Sequence, residues 1–232
     1  MFDREVILIS ALIFDFDGTI ADTYSIIFSC FKQIFREFKG QEVTEQSIFS
    51  MFGPAEPELI TISFPEYTDV SPIIDRYYEL YDQKHDLMVP QQPEISEMLT
   101  EFKIEGLRLG LVTGKSRRSL NISLRHLFPE NLFDFSIAGD EILRPKPHPE
   151  GLQKTLQGLD CSPGEALFIG DTDADFLAGK ALAMRTIGVR WFLSNGEFPW
   201  REIPDYTFTD LPAFKDALYA LTKLSLRANS KR

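Results

Sequence analysis

Between Val6 and Phe14 the chain is apolar except for Ser10, and the run ends on two carboxylates two positions apart, Asp15 and Asp17, followed by Gly18 and Thr19. An apolar run of this length closed by turn residues predicts a strand buried on both faces, and it is too short to span a membrane. Such a strand delivers Asp15 to its carboxyl end, where open α/β sheets place their ligands. Two acids held this close repel one another unless a cation or a proton lies between them. The pair therefore predicts a hard-metal site, with a nucleophile and a proton shuttle among its chemical options. A calcium loop does not fit, because the twelfth position counted from Asp15, where such a loop needs a closing Glu, is Ile26.

After Thr19 the periodicity changes. Ile20, Ile26, Ile27, Phe28, Phe31, Ile34, Phe35 and Phe38 recur near helical spacing, and Gly40 is placed to end that helix in a left-handed conformation. A short helix from Ser47 closes in a turn at Gly53-Pro54, and residues 70–87 again read as helix. Pro90 and Pro93 mark a return to alternating strands and helices. Strands are expected over Leu107–Val112, Phe135–Ala138, Ala166–Ile169 and Thr186–Val189, with helices between them, and a short strand near Tyr206 precedes a closing helix from Leu211. This alternation predicts an α/β fold, a doubly wound parallel sheet, carrying an inserted all-helical unit. The core is expected to comprise residues 1–19 and 89–232 and the insert residues 20–88, with residues 227–232 frayed.

Polar clusters stand at the ends of several predicted strands. Asp15 and Asp17 follow the first, Thr113 and Gly114 the second, and Asp171 and Asp175 the strand ending at Ile169. Lys146, within Pro145-Lys146-Pro147-His148-Pro149, sits in a loop just before a helix. A sheet of this class gathers such ends into one crevice. Taken singly, a Thr or Lys is ordinarily a cap or a solvated side chain, and Asp175 fits equally well as favourable charge at a helix amino end.

Together these residues resemble the signature series of the haloacid dehalogenase-like phosphohydrolases. Asp15-x-Asp17-Gly-Thr matches the first motif, Thr113 the second, Lys146 the third, and Gly170-Asp171-x-x-x-Asp175 the fourth. The resemblance covers residues 10–226 and implies a core strand order of 5-4-1-2-3 with the Asp15 strand in the middle. It also implies roles. Asp15 attacks phosphorus, and Asp17 protonates the leaving group and then deprotonates water. Thr113 and the Gly114 amide bind phosphoryl oxygens, and Lys146 balances charge. Asp15, the main-chain carbonyl of Asp17, and Asp171 hold Mg2+, while Asp175 stands behind them. The insert corresponds to a mobile helical cap, and Phe52-Gly53-Pro54 resembles the cap turn of phosphoglycolate-phosphatase-like members and related pyrophosphatases. Asp17 argues against dehalogenation, since dehalogenases of the family lack this acid. Phosphonate-cleaving relatives use a cap lysine, for which Lys32 and Lys39 are available, although an amphipathic helix turns such lysines to solvent.

The expected function is hydrolysis of a small phosphomonoester. Sugar phosphomutase and pyrophosphatase remain alternatives on the same core, and a non-catalytic binding protein is the reading from outside enzymology. His148, between two prolines, is expected to be structural, and Lys115, Arg117 and Arg118 to be solvated at the start of a helix, with Lys115 a secondary candidate for the site. The chain has 232 residues and a formal net charge of −11, with no basic run, which makes it a poor candidate for phosphate-backbone binding. Cys30 and Cys161 lack ligand spacing and are expected to be reduced thiols. The first residues lack the basic n-region of a signal peptide, so the expectation is a cytoplasmic protein without membrane or nucleic-acid partners.

Overall fold

A computed structural model describes residues 9–192 and 199–229. The first strand, β1 (Ala11–Phe14), is fully buried, and Val6 to Leu8 of the expected strand lie outside the described residues. Four helices follow before the next strand: α1 (Tyr24–Lys39), α2 (Glu45–Phe49), α3 (Glu56–Ser63) and α4 (Ser71–Met88). Then come α5 (Pro93–Ile104), β2 (Arg108–Val112), α6 (Arg117–Leu127), β3 (Phe135–Ile137), α7 (Glu150–Gly158), β4 (Ala166–Gly170), α8 (Asp173–Lys180), β5 (Arg185–Val189), β6 (Tyr206–Phe208) and α9 (Leu211–Asn229). Residues 230–232 of the expected frayed end lie outside the described residues.

The six strands form one sheet in the order β3-β2-β1-β4-β5-β6, and every pairing is parallel. This is the strand order the resemblance implies, extended at one edge by β6. Because side chains alternate along a strand, Leu12 and Phe14 face one side with helices α5, α6 and α9, while Ala11 and Ile13 face the other with α7 and α8. Both faces of β1 are thus covered, which explains its unbroken apolar run.

Helices α1 to α4 build a separate apolar cluster around Phe31, Ile34, Phe64, Tyr77 and Tyr81, into which α6 contributes Ile122. Helix α1 ends at Gly40, whose φ of 62° and amide bond back to the Arg36 carbonyl complete a left-handed cap. The sequence reading has no counterpart for α3.

Helix α4 lies along α6 through a row of polar contacts. Tyr78 and Ser116 share a hydroxyl hydrogen bond of 2.7 Å, and Tyr81 and Ser123 one of 2.9 Å. Arg118 pairs with Asp75 at 2.6 Å and Arg125 with Asp82 at 2.7 Å. His126 contacts Asp86 at 2.7 Å and Asp82 at 3.0 Å while stacking on the buried His85 ring. Burial pulls the His85 ring down to about 4, so it is neutral in this row. Cys30 and Cys161 are unpaired, and burial pushes the Cys30 thiol up to about 12, which leaves it inert. No described helix is long and apolar enough to cross a membrane.

Tyr77 lies fully buried in the cluster of α1 to α4, and its hydroxyl finds no hydrogen-bond partner. An unsatisfied buried hydroxyl is destabilising, whereas the ring is a large share of the packing. Tyr77→Phe should therefore raise stability by about 1 kcal/mol, and Tyr77→Ala should lower it by about 3 to 5 kcal/mol. Denaturant unfolding of the two variants checks both signs.

Candidate active site

The parallel pairing of β1 with β4 places Phe14 beside Ile169, and the Asp15 amide donates to the Ile169 carbonyl at 2.8 Å. The two strands thereby end side by side, with Asp15 following one and Asp171 the other. Carboxylate oxygens of Asp15, Asp171 and Asp175 lie within 4.8 Å of one another, and all three residues are buried. Lys146 reaches this cluster from its loop. Its Nζ stands 2.8 Å from Asp15 Oδ1 and 2.6 Å from Asp175 Oδ1, and it donates to the Val112 carbonyl at 3.3 Å. Asp15 of the first motif, Asp171 and Asp175 of the fourth, and the lysine of the third therefore converge at the strand ends.

The electrostatics are those of too few cations. Burial, opposed by Lys146 and reinforced by Asp175 and Asp17, pushes Asp15 up to about 7. Burial and the charges of Asp15 and Asp175 push Asp171 well above the usual carboxylate range. Burial alone would lower Lys146, but its attraction to Asp15 and Asp175 outweighs this and raises it, so the ammonium is firmly charged. Three buried carboxylates against one ammonium fit a further divalent cation, and the all-oxygen donor set suits a hard ion.

Asp175 combines its two anticipated roles. One oxygen holds Lys146, while the other accepts from the Thr172 amide at 3.0 Å and the Thr172 hydroxyl at 2.7 Å, closing the start of α8. Asp171 is gripped by residues that sequence reasoning missed. It accepts from the Thr19 hydroxyl and from the Tyr24 hydroxyl, each at 3.2 Å, and Trp200 donates to its carbonyl. Thr19 and Tyr24 follow directly on the first motif, so their proximity to it was the available signal. Trp200 carried none.

Gly18 makes the first motif compact. Its φ is +78°, and a Cβ there would strike the Asp171 carboxylate and come within 2.9 Å of the Tyr24 ring. Glycine meets both demands, since any side chain would be strained and would displace a member of the cluster.

Asp17 has partners other than those of the three clustered carboxylates. Its Oδ1 accepts from the Thr23 hydroxyl and from Lys115 Nζ, the latter at 3.0 Å. This corrects the expectation for Lys115. It is not solvated at a helix start; its side chain is 1% exposed, lies over the Tyr81 ring and stands 3.9 Å from Glu56 Oε1. Burial would lower Lys115, yet Asp17, Tyr81 and Glu56 outweigh burial and raise it. Glu56 is also buried, and it caps α6 by accepting from the Ser116 amide and the Ser119 hydroxyl, each at 2.6 Å. Arg117 and Arg118 are the surface residues of this stretch, paired with Glu141 and Asp75. Thr113 is buried at the end of β2, where its hydroxyl accepts from the Lys115 amide at 3.2 Å, and Thr113 and Gly114 both line the site. His148 takes the expected structural part, its Nδ1 accepting from the Glu150 amide at 3.1 Å.

Above these groups lies a cavity of about 440 Å³, closed on its far side by residues of α1, α2, the Phe52-Gly53-Pro54 turn and α3. Its size is that of a small-molecule site.

Comparison with known proteins is consistent across sequence and structure. A family model described as haloacid dehalogenase-like hydrolase matches residues 12–189. Pyrophosphatase PpaX of Bacillus mycoides is 29% identical over 217 residues, which span 94% of this chain and 99% of that one. PpaX of Bacillus cereus is 30% identical over 198 residues, spanning 85% and 91%. Among solved structures, CbbY from Rhodobacter sphaeroides in complex with phosphate superposes with a TM-score of 0.74 at 22% identity, covering 86% of this chain and 93% of that one.

Two expectations follow. A carboxyl group raised by folding contributes stability below its unfolded value and loses it as pH rises through its folded value. In excess chelator, the melting temperature should therefore fall between about pH 4 and about pH 7, the window set by Asp15. Added Mg2+ should raise it more at about pH 8 than at about pH 5, because the cation favours the ionised cluster. Equal effects at both pH values would remove the cation from this cluster. Separately, Gly18→Ala should displace Asp171 and weaken Mg2+ binding about tenfold or more, measured calorimetrically.

Proposed function

The chain belongs to the haloacid dehalogenase-like hydrolases, and on that premise we propose that it is a magnesium-dependent phosphatase that cleaves a small phosphomonoester through an aspartyl-phosphate on Asp15. The observation that carries this reading is the separation of two aspartates by their partners. Asp15 sits with Asp171, Asp175 and Lys146, whereas Asp17, two residues on, is held by Lys115 and Thr23. One motif thus presents one carboxylate to phosphorus and another to the oxygens that gain and lose a proton.

In the first step an Asp15 oxygen bonds to phosphorus, the P–O bond of the ester breaks, and Asp17 donates its proton to the departing oxygen. In the second, Asp17 takes a proton from water, the water oxygen bonds to phosphorus, and the acyl-phosphate bond breaks to return the Asp15 carboxylate and free phosphate. Lys146 offsets negative charge on Asp15 and on the phosphoryl group, and Thr113 with the Gly114 amide orients phosphoryl oxygens. Asp15, the Asp17 carbonyl and Asp171 would hold Mg2+, with Asp175 behind them fixing Lys146. When bound, the ion supplies charge screening between nucleophile and phosphate. Lys115 positions Asp17 for its two proton transfers.

Residues 20–88 act as a cap over a core of 1–19 and 89–232, and the two unpaired cysteines support a reducing, cytoplasmic setting. A small phosphorylated metabolite is the partner this site requires. Pyrophosphate hydrolysis is the second reading, supported by the name and identity of the PpaX relatives.

Phosphate release from a panel of small phosphomonoesters with Mg2+ tests the activity, and Asp15→Asn should abolish it with the fold intact. Asp17→Asn should cleave an activated aryl phosphate and then accumulate stoichiometric, hydroxylamine-labile phosphate on Asp15, because the second step lacks its base. Wild-type decay of that species would remove Asp17 from the mechanism. Lys146→Ala and Lys115→Met should each lower kcat by at least about tenfold, the first by exposing Asp15 to uncompensated charge and the second by releasing Asp17.

A further inference from the structure

We propose that the wall of the cavity opposite the strand ends is a leaving-group subsite for an uncharged aromatic or aliphatic group, so that the substrate carries its anionic charge on the transferred phosphoryl group alone. This deepens the phosphatase reading and rests on it.

The wall is built of Tyr24, Ile27, Phe49, Phe52 and Leu59, with Ile142 on the core side. Its rings form a continuous surface. Phe49 lies 6.3 Å from Tyr24 and 5.3 Å from Phe52, centroid to centroid, and Phe52 stacks on Phe28 at 6.2 Å. Phe52 remains 36% exposed at the cavity mouth. Large aromatic side chains left partly open within a concave site are a surface for an apolar ligand rather than core.

The charges make the same selection by exclusion. Among the described lining residues the cations are Lys115 and Lys146, and both are already engaged. Lys146 is shared between Asp15 and Asp175, and Lys115 between Asp17 and Glu56. The five Lys and Arg residues between Tyr24 and Met88 are committed elsewhere. Lys32 pairs with Glu45 at 2.6 Å, Arg36 with Glu42 at 2.7 Å, Lys39 with Glu66 at 3.1 Å and Arg76 with Glu37 at 2.9 Å, while Lys84 donates to Gln33 at 2.6 Å. None of the five lines the cavity. A second phosphate or a carboxylate on the leaving group would enter an apolar wall beside Glu56 with no cation to receive it, and a buried anion without a partner is strongly disfavoured.

The test compares four substrates with the Mg2+-loaded wild type: benzyl phosphate, ethyl phosphate, phosphoglycolate and pyrophosphate. The expected result is a kcat/KM for benzyl phosphate more than tenfold above those for phosphoglycolate and pyrophosphate, and above that for ethyl phosphate. Phe52→Arg should shift the benzyl phosphate to phosphoglycolate ratio at least tenfold toward phosphoglycolate, and Phe52→Leu, which keeps the wall apolar, should shift it less. A wild-type ratio under tenfold, or a ratio that Phe52→Arg leaves in place, overturns the subsite. If phosphoglycolate or pyrophosphate is preferred and Asp15→Asn is inactive, the subsite fails while the phosphatase reading stands. If Asp15→Asn releases phosphate as fast as the wild type, or no ester is cleaved, the phosphatase reading fails and the subsite falls with it.

Discussion

Mutual repulsion among Asp15, Asp171 and Asp175 is the constraint on which the rest of the site depends. The parallel pairing of β1 with β4 forces two of these carboxylates together, and burial denies them the solvent that would screen the charge. Lys146 answers part of it. The neighbours of the cluster then serve to keep the acids where they repel. Gly18 leaves room for Asp171, Thr19 and Tyr24 donate to it, and Thr172 fixes Asp175. The arrangement is costly in isolation and would become favourable with a divalent cation among the three carboxylates, which is how a protein stores affinity for an ion in its own packing.

Much of this was legible in the sequence, for identifiable reasons. The run before Asp15 reads as a buried strand because β1 has neighbours on both sides and helices on both faces. The carboxylates and Lys146 are recognisable because each stands next to a strand end or a proline-framed loop. Glu56 was not legible, and Lys115 was only a secondary candidate. Lys115 lies in a run with Arg117 and Arg118, and charge patterning alone assigns all three to solvent. Its burial is decided by Asp17 and Glu56, which are distant in sequence. Helix α3 escaped because Glu56-Pro57-Glu58-Leu59-Ile60-Thr61-Ile62-Ser63 is too short to show a helical period, and because its start depends on contacts that Glu56 makes with α6. Trp200 escaped because the ring that covers Phe176 and the indole N–H that donates to the Asp171 carbonyl are brought there only by the folded sheet edge.

Glu56 joins two halves of the molecule in a way that simple helix packing would not. It accepts from the Ser116 amide and the Ser119 hydroxyl at the amino end of α6, adding to the cap that the Ser116 side chain already gives the Ser119 amide, and through Lys115 it adjoins Asp17. Together with the Tyr78, Tyr81 and His126 contacts, this makes the α4 and α6 surfaces a largely polar seam. Polar seams part with less loss than apolar ones, because water replaces the hydrogen bonds that open.

The placement of the aromatic wall has a consequence for how such a chain can diversify. Most of the wall belongs to one uninterrupted stretch, from Tyr24 to Leu59, while Asp15, Thr113, Lys146, Asp171 and Asp175 all lie outside it. If the wall is the proposed leaving-group subsite, a new preference for the departing group can arise by drift within a few dozen neighbouring codons, away from the residues proposed to handle phosphorus. On that proposal, affinity and reactivity are carried on separable lengths of one polypeptide, joined in space where Tyr24 touches Asp171 and where Glu56 meets Lys115, Ser116 and Ser119. Those contacts are where a change of appetite would first be felt by the chemistry.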